Sequence, residues 1–525
     1  MPTPPATRPL AHALAGVLAT LAGMAAGHAA ASLLDPASSP VLAVGSTVID
    51  LTPTPVKEFA VRTFGTYDKP ILIGSVMAGT LVLAALSGLL ARRRLGVGVG
   101  LLLALVAVAG AAAVARPGAS ALDAVPALAA AGVGAAALVW LVRALRDPAD
   151  REGAREGAAA RGASTAQAGS DPATPSRRGF LIAGVVVSLG AAALGTAGTW
   201  VSRVRTAVAD FVLPRATDPA GAFPTGLEEE YPGITPLRTP NADFYRVDTK
   251  LAVPVVALDD WRLSIDGDVD QPLDLTFEEL LEMSTTERDI TLTCVSNEVG
   301  GPYVGGARWQ GVPLKTLLDR AGVGTKADQI LSTDVEGFTI STPLEVALDG
   351  RDTLVAVGMN GRPLPPEHGY PARLVTPGVY GFVGATKWLR RLTLTTYAAE
   401  TAYWTERDWA TDAPIKVASR IDTPKPLATI DPGRTVIGGV AWAQHRGIDR
   451  VEVRVDGGPW QRAELGPEVG VDYWRQWYLP WDAESGRHQL AVRATTGDGE
   501  VQTAVRATPF PEGSSGIQEI VVTVS

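Results

Sequence analysis

Five apolar stretches, at about residues 10–34, 70–91, 95–115, 122–143 and 180–200, commit the first two fifths of this chain to a bilayer. Each approaches the roughly 20 residues that a helix needs to cross the hydrocarbon core, where every backbone polar group must be paired internally. Basic residues set the direction. Arg92, Arg93 and Arg94 follow the second stretch, and Arg143, Arg146, Arg151, Arg155, Arg161, Arg177 and Arg178 lie between the fourth and the fifth. The positive-inside rule puts both groups in the cytoplasm, the N-terminus inside, the loop of residues 35–69 outside, and everything beyond Trp200 outside.

Residues 147–176 are rich in Ala, Gly, Ser, Asp and Arg without apolar periodicity and read as a cytoplasmic linker. It runs into Ser176-Arg177-Arg178-Gly179-Phe180-Leu181, which resembles a twin-arginine export signal. The organisation read from the chain is a four-helix transmembrane region (1–146), a linker ending in the arginine pair (147–179), a fifth transmembrane helix (180–202), and two domains (203–412 and 413–525). His12 and His28 share the first span, about 24 Å apart along one helix, so they cannot jointly ligate a haem within one chain. The spans read as an anchor. A net charge of −9 with no basic cluster among aromatics excludes a nucleic-acid partner.

Cys294 is the single cysteine of 525 residues, which rules out an internal disulfide. It follows Ile290-Thr291-Leu292-Thr293, whose β-branched character predicts a strand, and precedes Ser296-Asn297 and Gly300-Gly301-Pro302, which predict a loop. A thiol at such a junction is either a small buried hydrophobe or a one-point metal ligand. Around it, Trp261 to Gly267 alternates as a strand, led in by an alternating Leu251 to Pro254. Phe277 to Leu281 and Pro313 to Ala321 predict short helices, the second punctuated by Gly322. Short strands and helices intermixed in this way predict an α+β domain.

Four further stretches narrow the choice: Gly306-Ala307-Arg308-Trp309, then Asn360-Gly361-Arg362-Pro363-Leu364-Pro365-Pro366-Glu367-His368-Gly369-Tyr370-Pro371-Ala372-Arg373, then Pro377-Gly378, then Lys387-Trp388-Leu389. Together with the Cys294 stretch, and over roughly residues 240–525, they resemble the sulfite oxidase family of molybdopterin-dependent oxidoreductases. The resemblance implies a Mo-molybdopterin cofactor, one molybdenum per chain, with Cys294 as the protein's thiolate ligand. It implies that His368, Arg373 and Lys387 supply the cations and donors for the pterin phosphate, with Ala385 and Thr386 in the same backbone stretch. Phe244, Tyr245, Arg246, Val247 and Asp248 match the segment that wraps the pterin, Asp334 matches a further cofactor position across a gap, and Arg246 matches an arginine facing the metal's oxygen and an anionic substrate.

Two positions depart from the better-known members. Trp409 stands where animal and plant sulfite oxidases carry an active-site tyrosine, and indole has no acidic hydroxyl. Glu298 replaces the basic character of the loop after Cys294, and a carboxylate there opposes sulfite. A sulfite-oxidase-like oxygen-atom transfer therefore competes with a sulfoxide or oxyanion reductase, and a non-catalytic surface module retaining the fold is the reading from another class. Beyond residue 413, Thr435–Ala443, Val451–Trp460, His488–Ala494 and Glu519–Val524 alternate around an Asp456-Gly457-Gly458 turn and predict an immunoglobulin-like sandwich. It resembles the family's dimerisation domain and implies a homodimer. No haem, flavin or iron–sulfur pattern accompanies it, so electrons pass to a separate cytochrome or quinone-linked partner.

Overall fold

The computed structural model describes residues 7–64, 67–145, 177–205 and 211–525. The linker at 147–176 and its arginines, with Arg146, lie outside the described residues. The chain forms two compact units, one comprising Met1–Ala207 with Thr249–Val255, the other Val208–Asp248 with Val256–Ser525.

The first unit consists of α1 (Thr7–Leu33), α2 (Pro40–Leu51), α3 (Thr54–Phe64), α4 (Asp68–Arg93), α5 (Leu95–Val114), α6 (Val125–Ala144) and α7 (Arg177–Arg205). Five helical segments, Pro9–Leu33, Asp68–Arg93, Leu95–Val114, Ala121–Ala144 and Phe180–Val201, are long and apolar enough to span a membrane. They coincide with the five apolar stretches. The loop read at 35–69 instead holds α2 and α3. Twelve residues are too few to span, and α2 seats Ala43 with Ala112 and Ala113 of α5.

Small residues let α1 approach its neighbours backbone to backbone. A Cβ built on Gly88 would lie 1.9 Å from the His12 carbonyl oxygen, and one on Gly16 would lie 2.0 Å from that of Ala84. In a membrane such close packing replaces the hydrophobic drive that lipid cannot supply. Arg116, after α5, joins Asp35 at 2.6 Å and Asp123 at 3.4 Å, so one guanidinium ties the end of α1 to the turn that opens α6. Residues 251–254 do not form the strand that their alternation suggests. Pro254 cannot donate to a ladder, and the Lys250 carbonyl accepts from the Lys69 ammonium at 2.9 Å within this unit.

The second unit mixes α-helix and β-strand. One sheet has the order β2-β1-β10-β5-β6, from β1 (Arg262–Gly267), β2 (Leu273–Thr276), β5 (Gln329–Asp334), β6 (Thr339–Pro343) and β10 (Leu389–Thr395). The other has the order β3-β4-β7-β8, from β3 (Thr286–Thr293), β4 (Val304–Pro313), β7 (Leu354–Met359) and β8 (Arg362–Pro363), with β9 (Arg373–Val375) added against β7. Helices α8 (Phe277–Met283) and α9 (Leu314–Ala321) close the core of Leu263, Ile265, Phe277, Leu280, Leu317, Leu318 and Leu392. A reciprocal cap starts α8: Thr276 Oγ1 accepts the Glu279 amide at 3.1 Å and Glu279 accepts the Thr276 amide at 2.8 Å. Gly322, at φ 70°, stops α9.

The C-terminal part has two sheets sharing one apolar core. One has the order β11 (Ala418–Thr423), β13 (Gly433–Trp442), β17 (Arg475–Ala483), β16 (Glu464–Leu465), and the other the order β12 (Thr429–Ile430), β19 (Gln518–Val524), β18 (Gly486–Thr496), β14 (Ile448–Val455), β15 (Gln461–Arg462), with Ile437, Ala441, Val451, Val453, Trp477, Leu490, Val492 and Val522 between them. The alternation read at 519–524 is explicit in β19 (Gln518–Val524), where buried and more exposed residues take turns.

The α1–α4 contact is tested by Gly88→Val. Overpacking against the α1 backbone should cost about 1–3 kcal/mol and lower the melting midpoint of detergent-solubilised protein by several degrees. Gly79→Val, where a Cβ meets nothing within 4 Å, should leave it unchanged in the same fluorimetric scan.

Candidate functional site

Cys294 directly follows β3, buried at 9% exposure. Its amide donates to the Tyr303 carbonyl at 3.0 Å and its carbonyl accepts the Asn297 amide at 3.0 Å, so the thiol opens a closed loop of residues 294–303. Asn297 Oδ1 accepts the Tyr303 amide at 2.8 Å and pins the far side. Burial pushes the thiol's pKa up, against the opposing pull of hydrogen bonds from Ser296 and the Lys387 charge. A cation at the sulfur would reverse that burial term and hold the thiolate.

Two cations, Arg373 and Lys387, are largely withdrawn from solvent, and a third, Arg246, is more exposed. Arg373, on β9, is 3% exposed and makes no ion pair among the described residues. Its guanidinium donates to the carbonyls of His368 at 3.1 Å, Ala385 at 3.3 Å and Leu374 at 3.4 Å, and lies 5.0 Å from the Trp309 ring. Burial lowers its pKa to about 10. Lys387 donates to Asp248 Oδ2 at 3.0 Å and to the Glu367 carbonyl at 3.1 Å. Arg246 donates to the same Asp248 oxygen at 2.9 Å. Lys387 and Arg246 thus share one carboxylate while Arg373 pairs with none among the described residues, a surplus that an anion would balance.

His368 is 2% exposed, in a turn that follows Pro365. Its Nε2 donates to the Asn241 carbonyl at 2.9 Å, since a carbonyl only accepts, and its buried Nδ1 has no partner. Burial first, then Lys387 and Arg373, lowers its pKa to about 4, so the ring is neutral at pH 7. The Phe244 ring stands 5.5 Å from it, edge-on, and stacks 5.1 Å from the Tyr245 ring. Tyr245 is electrostatically coupled to both Cys294 and Arg373, and burial holds its phenol far above the usual range. The structure therefore brings Cys294, Phe244, Tyr245, Arg246, Asp248, His368, Arg373, Ala385 and Lys387 together.

Four predicted residues stand apart. Val247 is 38% exposed. Thr386 pairs its hydroxyl with that of Ser332 at 2.5 Å and anchors the stretch to β5. Asp334 ends β5, where its Oδ1 accepts the amides of Glu336 at 2.8 Å and Phe338 at 2.9 Å, so that oxygen caps the turn into β6. Trp409 is 8% exposed in an aromatic cluster with Phe382, Trp404 and Phe510, its ring centroid 5.2–5.8 Å from theirs and its Nε1 without a partner. That cluster also contains Val295, next to Cys294.

Tyr380 is absent from the sequence reading. Its phenol is 4% exposed, shares the Val295 cluster, and titrates up to about 12 through burial, with Cys294 among the causes. Its position two residues after Gly378, between two stretches already singled out, is the signal that could have found it.

The pH dependence has a definite sign. Lys387 has its pKa lowered by burial to about 8 from 10.5, so between these values the unfolded chain holds a proton that the folded chain has released. Stability rises with pH in that window, and the penalty for burying the charge is fully present below about 8. The difference in stability between wild type and Lys387→Met, both cofactor-free, should change by about 1.4 kcal/mol per pH unit between pH 8 and 10. Denaturant titrations across that range check it; a flat difference would show that Lys387 keeps its ordinary pKa.

Residues 250–404 match the family model described as oxidoreductase molybdopterin binding domain. The chain is 31% identical over 301 residues to mitochondrial sulfite oxidase of Rattus norvegicus, covering 48% of this chain and 55% of that protein. It is 30% identical over 309 residues to inducible nitrate reductase [NADH] 2 of Glycine max, covering 46% of this chain and 34% of that protein. Among solved structures, the sulfane dehydrogenase SoxCD from Paracoccus pantotrophus aligns with a TM-score of 0.49 at 27% identity, over 55% of this chain and 83% of that one. The chain spans about half the length of the sulfite oxidases it matches. Residues 250–404 thus carry a molybdopterin-binding oxidoreductase domain, similar to sulfite oxidases and nitrate reductases, and the cofactor that such a domain implies is Mo-molybdopterin.

Proposed function

We propose that the protein is a membrane-anchored, extracytoplasmic enzyme that moves one oxygen atom and two electrons at a molybdenum held by Cys294. The observation that carries this reading is the buried Arg373, without a carboxylate among the described residues, bonded to the His368 carbonyl, with the Lys387 charge acting on both His368 and Cys294. A pterin phosphate fits that donor set, because it supplies the missing anion for Arg373 and Lys387 and a partner for Nδ1 of a protonated His368. When bound, the cofactor supplies the oxygen-accepting and electron-storing metal.

The chain's own residues bind and orient. Cys294 holds the metal through its thiolate, Phe244 to Asp248 wrap the pterin, Ala385 and Thr386 frame the phosphate site, and Asp334 supports that frame through its turn. Arg246 lies at the open side, 35% of its side chain exposed, and would orient an anionic substrate such as a small oxyanion. For the oxidase direction the balance is substrate plus water giving oxygenated substrate, two protons and two electrons, the electrons leaving to a cytochrome or quinone-linked partner.

The reverse direction, reduction of a sulfoxide or oxyanion, stays open because Trp409 replaces the tyrosine expected of a sulfite oxidase. Its indole offers a donor and no acidic hydroxyl. The domain division at 203–412 and 413–525, the twin-arginine export of a folded domain, the outward orientation, and a homodimer formed through an immunoglobulin-like C-terminal domain belong to the same proposal.

Steady-state assays with sulfite and with sulfoxides decide the direction. In either, Arg246→Gln should raise KM roughly ten- to hundredfold, the about 1.5–3 kcal/mol of a charge-assisted hydrogen bond. Cys294→Ser should lose one sulfur scatterer in X-ray absorption at the molybdenum edge and at least about a hundredfold in turnover. An unchanged metal–sulfur shell in that variant would defeat the assignment of Cys294.

A further inference from the structure

β3 is the edge strand of its sheet, and on its outer side the only β partner among the described residues is the isolated bridge of Thr286 with Asp218, at the end away from Cys294. At the end that carries the cysteine, that side is covered by the C-terminal sandwich. The Thr291 amide donates to the Asp472 carbonyl at 3.0 Å, and the Trp474 amide donates to Thr291 Oγ1 at 2.9 Å. Gln444, 2% exposed just past the end of β13, donates from its Nε2 to the Thr291 carbonyl at 2.9 Å and to Thr293 Oγ1 at 3.0 Å. Unpaired edge groups left in a dry interior would otherwise cost free energy, and the backbone of Asp472 and Trp474 with the Gln444 side chain takes the place of a neighbouring strand.

The loop after the cysteine is held from the same domain. Ser514 Oγ donates to the Asn297 carbonyl at 2.5 Å, and Arg420 Nη1 donates to the Gly301 carbonyl at 2.9 Å. Arg420 is itself fixed by Asp422 at 2.6 Å and by Thr235 Oγ1 at 2.9 Å. Gly300, at φ 79°, lies under the Gln518 side chain, where a Cβ would come within 2.4 Å of its amide nitrogen. Cys294 is thus bracketed on both chain sides by residues more than a hundred positions away.

We infer that the C-terminal sandwich is a clamp on the metal-binding thiol, with Gln444, Ser514 and Arg420 as positioning residues that set where Cys294 sits. This adds to any pairing of subunits a direct part in the reaction centre, and it rests on the proposed role of Cys294 as metal ligand. A thiolate moved by a fraction of an ångström changes the metal's electronics and the approach of substrate, while the substrate-binding residues on the other side of the pocket stay in place.

The test uses the full-length chain, expressed with and without cofactor supply, as wild type, Gln444→Met and Ser514→Ala, with Ser514→Thr as the variant that keeps the hydroxyl. Cys294 is the single thiol, so alkylation by a maleimide reports on it alone. In the cofactor-free protein, alkylation should rise at least roughly tenfold in Gln444→Met and severalfold in Ser514→Ala, and return toward wild type in Ser514→Thr. In the loaded protein the Mo(V) paramagnetic signal should shift and kcat should fall roughly tenfold, with KM within about twofold.

Wild-type alkylation rates in both variants overturn the clamp, as does faster alkylation with an unshifted paramagnetic signal. If Gln444→Met does not fold, the Ser514 pair decides, because it removes a single, partly buried hydrogen bond. Failure of the ligand assignment shows itself separately, in the metal–sulfur shell of Cys294→Ser; the alkylation arm still reads the clamp.

Discussion

A guanidinium taken out of water without a carboxylate is the most demanding feature of the second unit. Among the described residues the Arg373 guanidinium bonds to carbonyl oxygens and lies over the Trp309 ring, and the neighbouring Lys387 shares one carboxylate with Arg246. Such an arrangement is tolerable because its partners are rigid: β9 is laid against β7, Trp309 is fully buried with its Nε1 bonded to the Ile290 carbonyl, and His368 is fixed through Asn241. The surrounding fold holds the positive charges in place ahead of the anion that balances them. Preorganised charge of this kind binds without reorganising at the moment of need.

The parts of this organisation that are legible in the sequence are those with local causes. The strand before Cys294, the capped helix at Phe277, the helix stopped by Gly322 and the alternating C-terminal strands each follow from a period, a cap or a turn within a few residues. The five membrane-spanning lengths are legible for the same reason, since length and apolarity suffice. His368, Arg373 and Lys387 converge because a short turn, a strand and the segment leading to β10 fold back on one another within about twenty residues.

What was not legible depends on partners far along the chain. Nothing near Gln444 announces that it will serve the edge of β3, some 150 residues earlier in the sequence. Asp334 reads as a cofactor contact from its place in the order of motifs, while the local geometry gives one of its oxygens to two turn amides. Residues 251–254 alternate as a strand would, yet Pro254 and the Lys69 contact leave them irregular. Alternation alone does not distinguish a strand from an extended segment held by something else.

The sheet at the base of the second unit carries a consequence in time. β1 lies parallel to β10, pairing Ser264 with Arg391, so its central partnership cannot form until more than 390 residues have been made. Parallel pairing across such a separation is costly in loop entropy and slow. During synthesis α1 to α6 are complete while β1 still waits for its neighbour. The first six helices are thus complete before this sheet of the second unit can close.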